Sequence, residues 1–207
     1  VPHEVGTHVS GSNSLSGSRA GPGWSVIGHD PVIRLLDRAL TSGRLAHAYL
    51  LVGPAHVGKG TLAMNMAQAV NCQEGALPCG QCSQCRRIAQ GQHTDVQVLR
   101  VEEVAGHKSI SIDTVRDLQR QAYLKPFEGH SRVIIIDGAE FLTDQAANAI
   151  LKLLEEPPPQ VLMVLLAADA DLVLPTILSR CHLLRLRPLP EVQVIEALET
   201  RWEVSPE

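Results

Sequence analysis

Apolar residues along this chain follow two periods. Three short runs are apolar throughout or nearly so: Ala48 to Val52, Arg132 to Ile136 and Val161 to Ala167. Strands of a parallel sheet covered on both faces read this way. Val96 to Val101 reads as a further strand and Cys181 to Leu186 as a shorter one. Between these runs the spacing turns helical. Val32, Ile33, Leu36, Ala39 and Leu40 share one face, as do Ile112, Val115, Leu118 and Ala122. Ala147, Ile150, Leu151 and Leu154 fall at i, i+3, i+4 and i+7, the buried stripe of another helix. Thr61 to Val70 reads as the helix after the first strand. Asp30 is a suitable N-cap with Pro31 as first helical residue, and Gly43 ends that run. Ser111 or Asp113 caps the next helix, Thr143 or Asp144 the one after, and Pro157, Pro158 and Pro159 stop it. Strands alternating with helices predict an α/β fold built on a doubly wound parallel sheet. There is no internal repeat.

Composition sharpens the picture. Hydrophobic residues make up 44% of the 207 positions but aromatics only 3%, so the core is built from Leu, Val, Ile and Ala. Net charge is −4. A free-standing nucleic-acid binder usually carries a basic excess, so any DNA contact here is local or shared with partners. No apolar run reaches the ~18 residues that span a bilayer. Residues 1–23 are rich in Gly and Ser and read as a flexible tail, without the pattern of a secretory signal. The chain opens on Val1 rather than Met, which reads as a truncated or an engineered chain. Residues 24–187 form the expected core. Pro188 and Pro190 mark a boundary, and Glu191 to Arg201 reads as the first helix of a small second domain, 188–207.

Two segments carry phosphate chemistry. Gly53, Gly58 and Lys59 make G-x-x-x-x-G-K directly after a strand and before a helix. Glycines there let backbone N–H groups converge on phosphate oxygens, and the helix dipole adds to the attraction. Lys59 would reach the β- and γ-phosphates. The hydroxyl expected next, a magnesium ligand, is replaced by Gly60, with Thr61 one place later. The bland reading is a glycine turn that keeps its shape without a ligand. Asp137 ends an apolar strand and suits a magnesium-facing acid; alone, it reads as an acid capping a turn.

Five cysteines are present, four of them in C-x6-C-x2-C-x2-C spacing: Cys72, Cys79, Cys82 and Cys85. Short C-x2-C turns present adjacent corners of a tetrahedron, which fits structural Zn2+ in the module 72–85. A redox-active pair or free thiols is the alternative. Cys181 stands apart and reads as a small apolar packer. Such cysteine usage fits a reducing cytoplasm better than a disulfide framework. His47 and His56 show no ligand spacing with the cysteines and read as structural.

Several segments together resemble the bacterial DNA polymerase III clamp-loader subunits of the AAA+ family. They are H-A-Y-L-L-V-G-P, the cysteine module, N-A-I-L-K-L-L-E-E-P-P and L-P-T-I-L-S-R-C, spread from about Val26 to Pro190. The resemblance implies an AAA+ P-loop core with a zinc-binding insertion and the start of a helical lid. It implies a nucleotide site at Gly53, Gly58, Lys59, Gly60, Thr61 and Asp137, and leaves binding of ATP with Mg2+ open there. In hydrolysing members a glutamate follows the strand-end acid; here stands Gly138, while Glu140, two residues on, is expected to start the next helix and point elsewhere. The sensor position after the strand ending near Ala167 is Ala168, not Thr or Asn. These losses, beside a retained Ser179-Arg180-Cys181, resemble the non-hydrolysing delta-prime type more than tau/gamma. Arg180 is then a finger presented in trans to ATP on a neighbouring subunit, exposed when the chain is alone. Implied partners are the tau/gamma and delta subunits, with the sliding clamp and primer-template DNA reached through the complex. Gly-Lys-Gly-Thr also resembles the loop of nucleoside monophosphate kinases, which explains neither the cysteines nor the L-E-E-P-P helix.

Overall fold

The computed structural model describes residues 23–75, 77–104 and 107–202. In chain order its elements are α1 (Asp30–Thr41), β1 (Ala48–Val52), α2 (Lys59–Asn71), α3 (Ser83–Ala89), β2 (Val96–Arg100), β3 (Glu102–Val104), β4 (His107–Ser109), α4 (Ile112–Ala122), β5 (Arg132–Asp137), α5 (Asp144–Glu155), β6 (Val161–Ala167), α6 (Pro175–Leu178), β7 (His182–Arg185) and α7 (Glu191–Trp202). The main sheet has the order β2-β5-β6-β1-β7. Its neighbouring strands all pair in parallel. β3 and β4 form a separate antiparallel ribbon.

The continuous apolar runs exist because both faces of the sheet are covered. Alternate residues of the central strands enter opposite layers. Leu50, Ile134, Ile136 and Met163 pack with Val115, Leu118, Ile150 and Leu153 of α4 and α5. Tyr49, Leu51, Ile135 and Val164 pack with Ile33 and Leu36 of α1 and Leu62 and Met66 of α2. Each such side chain, fully buried, contributes about 1.5–3 kcal/mol relative to exposure.

Several local expectations change. The N-cap of α1 is His29, in the left-handed region at φ 58, and Asp30 is the first helical residue. There its carboxylate still meets the positive end of the helix dipole. Ser111 and Thr143 settle the two open capping choices, each accepting a hydrogen bond from the N–H three residues on. Along α5, Leu151 is only partly buried and Leu153 is fully buried, because this helix packs on α4 as well as on the sheet. The expected tail lies outside the described residues except for Gly23. A Cβ at Gly23 would stand 1.4 Å from the Pro78 carbonyl oxygen, so only glycine fits against the cysteine module there. The indole N–H of the buried Trp24 donates to Asp37 at 2.7 Å. No helix among the described residues is long and apolar enough to cross a membrane.

A buried charged group braces the loop between α4 and β5. Asp95 accepts from the backbone N–H groups of Phe127, Glu128 and Gly129 at 2.8–3.0 Å. Its partner Arg132 lies 3.1 Å away, and both side chains are almost wholly buried. Arg132 also donates to the carbonyls of Leu124 and Lys125. Burial pushes the Asp95 carboxyl up, but the three N–H groups and Arg132 outweigh it and hold it below the ordinary carboxylate range.

A depressed folded-state pKa contributes stability above the unfolded value, near 3.9, and loses it as pH falls through the folded one. Asp95→Ala is expected to lower the unfolding free energy at pH 7 by about 3 kcal/mol, since it leaves Arg132 buried without its partner. Urea denaturation at pH 7 and at pH 3 checks both points: the gap between wild type and variant should shrink in acid.

Candidate functional site

The phosphate-loop segment leaves β1 at the C-terminal edge of the sheet. β1 lies between β6 and β7, where the direction of strand addition reverses, and such reversal points open a crevice. Gly53 has φ 155, and a Cβ there would sit 2.4 Å from the Leu186 carbonyl oxygen. Gly58, at φ 99, is the N-cap of α2 and turns the chain into the helix. Lys59 begins the helix and folds back over the loop. Its Nζ donates to the Gly53 and Pro54 carbonyls at 2.5 and 2.8 Å.

This loop forms one wall of a cleft of about 760 Å³. Gly58, Lys59, Gly60 and Thr61 line it together with Asp137, Glu140, Ala168, Arg100 and Lys108. The expected nucleotide residues therefore converge, save that Gly53 shapes the loop from behind. Burial lowers the Lys59 pKa, while the charges of Glu140 and Asp137 oppose the shift. Helix N–H groups plus Lys59 suit a polyphosphate, and the acids opposite suit its counter-cation. His56 lines the cleft at φ 61. His47 lies elsewhere, its ring nitrogen 3.0 Å from the Leu154 carbonyl at the C-terminal end of α5.

Glu140 departs from expectation. It does not start a helix; it lies in a 3-10 turn, Ala139–Phe141, and α5 begins only at Asp144. That tight turn points the carboxylate into the cleft. Oε1 accepts from the N–H of Ala168 at 3.0 Å. Oε2 is buried with no hydrogen-bond partner among the described residues. A polar link across the sensor position thus exists, supplied by a side chain from β5's side and a backbone N–H.

The two glycines that replace polar residues differ in their surroundings. A Cβ at Gly60 meets nothing within 4 Å. At Gly138, φ is 98 and a Cβ would lie 2.4 Å from Val101 Cγ2 and 2.9 Å from Phe141 Cδ2. A glutamate there requires a different backbone, so its loss is built into the turn that aims Glu140.

The cysteines converge on a second centre. The sulfurs of Cys72, Cys79, Cys82 and Cys85 all lie within 4.8 Å of one another and could hold a metal ion such as zinc. Cys72 is the C-cap of α2, Cys82 is the N-cap of α3, and Cys85 is within α3. Cys79 Sγ accepts from the N–H groups of Cys82 and Gln81, and Cys82 Sγ from that of Cys85. The N–H groups of Cys82 and Gln81 take the Cys79 thiol down to about 6. Burial pushes Cys72 and Cys85 up. A donor set with one ready thiolate and buried thiols behind it fits a soft divalent cation, whose charge offsets that burial cost. Gln68 anchors the module through a bond from Nε2 to the Cys85 carbonyl at 2.9 Å. Cys181 is separate and packs against the core, its thiol pushed up to about 12 by burial.

Arg180 follows α6 and does not line the cleft. It is half-buried rather than exposed. Nη1 donates to the Thr176 carbonyl at 2.9 Å and to Ser179 Oγ at 3.2 Å. Nη2 lies 2.7 Å from Glu155 Oε1, at the end of α5. The stretch ending in L-E-E-P-P and the Ser-Arg-Cys stretch therefore meet at this pair. Glu155 carried no signal of its own beyond membership in that stretch.

Comparison with known proteins agrees with this architecture. The pattern of the family described as "DNA polymerase III, delta subunit" matches residues 28–190. DNA polymerase III subunit tau of Escherichia coli is 36% identical over 176 residues, 84% of this chain and 27% of that protein. Subunit delta' of Bacillus subtilis is 35% identical over 176 residues, 84% of this chain and 52% of that one. Subunit gamma of Buchnera aphidicola is 34% identical over 84% of this chain and 47% of its own length. The chain thus spans about half or less of these curated relatives, and the two subunit types match almost equally. Among solved structures, a Thermotoga maritima DNA polymerase III gamma subunit-related protein superposes with TM-score 0.52 at 20% identity, over 80% of this chain and 49% of that one. The Thermotoga maritima RuvB Holliday junction branch migration motor does so with TM-score 0.55 at 18% identity, over 87% and 53%. These two likenesses establish the fold, an AAA+ core.

The glycine environments lead to opposite expectations. Gly60→Ser should leave thermal stability within about 1 kcal/mol of wild type, with only the ordinary cost of a helix N-terminal change. Gly138→Glu should cost about 1–3 kcal/mol through backbone strain and the clash with Val101 and Phe141. Paired thermal melts check this; equal melting temperatures would contradict the geometry at Gly138.

Proposed function

We propose a function that starts from family membership: the chain belongs to the DNA polymerase III delta-subunit family, and it acts as a delta-prime-type subunit of the clamp loader. In this reading the assembled machine uses ATP to load the sliding clamp onto primed DNA. This subunit contributes Arg180 to ATP held by a neighbouring tau/gamma subunit, and it does not hydrolyse ATP itself. The delta subunit, the clamp and primer-template DNA are met through the complex.

One observation carries the reading. Arg180 stands outside its own chain's cleft, on a segment like the family's finger, while that cleft lacks a hydroxyl at Gly60, a glutamate at Gly138 and a polar side chain at Ala168. A fixed, planar guanidinium suits a phosphoryl group presented from outside. Gly53, Gly58, Lys59, Gly60, Thr61 and Asp137 then serve as a polyphosphate cradle without turnover. Cys72, Cys79, Cys82 and Cys85 hold a structural Zn2+ that stiffens the insertion. The part beyond Pro188, led by α7, is the start of the helical lid. Its Val192, Ile195 and Leu198 are exposed.

The second reading is a tau/gamma-type ATPase, favoured by the similarity to tau and gamma relatives and by Glu140, which lines the cleft and keeps one oxygen without a hydrogen-bond partner among the described residues. Turnover separates the two. The purified full-length protein should hydrolyse ATP at background rate; turnover abolished by Lys59→Ala would establish the ATPase type. In a rebuilt clamp loader, Arg180→Ala should lower DNA-stimulated ATP hydrolysis and clamp loading, by less than the 10³–10⁵ of the strongest trans fingers because other sites keep their own arginines. Arg180→Lys should be nearly as harmful. Wild-type loading by both variants would overturn the proposal. Metal analysis should find one zinc per chain, and chelation should loosen residues 72–85 while the sheet persists.

A further inference from the structure

Glu155 is an acid in an unfavourable place. It is the last residue of α5, where the negative end of the helix dipole disfavours a carboxylate. It does not stabilise the helix there; Lys152 in the last turn and His47 against the Leu154 carbonyl serve that end. What it touches is Arg180, at 2.7 Å, with both side chains open to solvent over a third to a half of their surface. A pair this open contributes little to folding. It does restrict the arginine. Nη1 is held by the Thr176 carbonyl and Ser179 Oγ, and Nη2 by Glu155. A side chain that otherwise samples many rotamers is thereby held at both ends of its fork.

We propose that Glu155 is a positioning residue for the trans finger: it fixes the Arg180 guanidinium before the neighbouring subunit's nucleoside triphosphate arrives. The proposal rests on the finger role given to Arg180 above. Pre-set geometry matters where charge develops on the transferred phosphoryl group, and a misplacement on the order of 1 Å can cost up to 10²-fold in rate. Because the effect lies in the transition state, it falls on kcat and not on ATP binding.

The test uses a clamp loader rebuilt with the full-length protein, with ATP turnover measured on primed DNA with clamp present. Glu155→Ala should lower kcat about threefold to tenfold with KM for ATP unchanged, approaching the effect of Arg180→Ala. Glu155→Gln keeps the reach and an accepting oxygen, and should recover part of the loss. In an Arg180→Ala background, Glu155→Ala should have no further effect. If Arg180→Ala lowers kcat and Glu155→Ala does not, the positioning role is wrong and the finger stands. An additive loss in the double variant also overturns it, since Glu155 would then act through something other than Arg180. If Arg180→Ala changes nothing, the finger reading fails, and positioning with it. Should Glu155→Ala fold poorly, the Glu155→Gln comparison alone decides by the same criteria.

Discussion

Parallel pairing of β1 with both β6 and β7 fixes where the rest of the molecule stands. Register places Val52 opposite Ala167 on one side and Arg185 on the other. The loop after β1 therefore emerges beside the end of β6, and β5, next to β6, delivers Asp137 at the same edge. Close approach at Gly53 to the Leu186 carbonyl seals the joint between β1 and the segment after β7. Backbone hydrogen bonds and two covered faces thus build the cleft; the polar side chains only line it.

That division explains what could be read from the chain. Strands such as Ala48–Val52 and Val161–Ala167 were legible because a strand buried on both faces has no polar position to obscure it. The caps Ser111 and Thr143 were legible as one of two choices, since a single side-chain oxygen decides each. The convergence of Gly58, Lys59, Gly60, Thr61 and Asp137 followed from spacing and topology. Glu140 was misread because its direction depends on a 3-10 turn that the positive φ of Gly138 sets up, and no period in the sequence reports such a turn. The partial burial of Arg180 was missed for a similar reason. Its partner Glu155 is close in space but arrives from another helix.

Gly138 and Glu140 also belong together physically. The left-handed glycine tightens the chain after β5, which swings Glu140 over to the Ala168 N–H. A side chain at position 138 would clash with Val101 and Phe141 and relax that turn. The residue at position 138 and the direction of Glu140 are thus linked through one turn. The inward Glu140 also keeps negative charge near Lys59, which burial alone would drive toward neutrality.

With aromatics so scarce, polar groups perform joining that large rings often do. Asn65 Oδ1 accepts from the N–H groups of Ser25 and Val26, tying the incoming chain to α2. Gln68 reaches the cysteine module, and Gln84 reaches from it to the Glu128 carbonyl and the His93 ring. Asp95 and Arg132 then hold the loop that carries Glu128. Each link is directional and at least partly buried, so it favours one docking of the insertion where an apolar surface would accept several. The insertion therefore combines a cysteine cluster with a polar attachment to the body of the fold. Its four sulfurs lie within 4.8 Å of one another, and an amide and carboxylate chain fastens it to α2, to His93 ahead of β2 and to the loop between α4 and β5. The links from Gln68 to the Cys85 carbonyl and from Gln84 to Glu128 and His93 do not pass through sulfur, so they hold the module whatever occupies the cysteines.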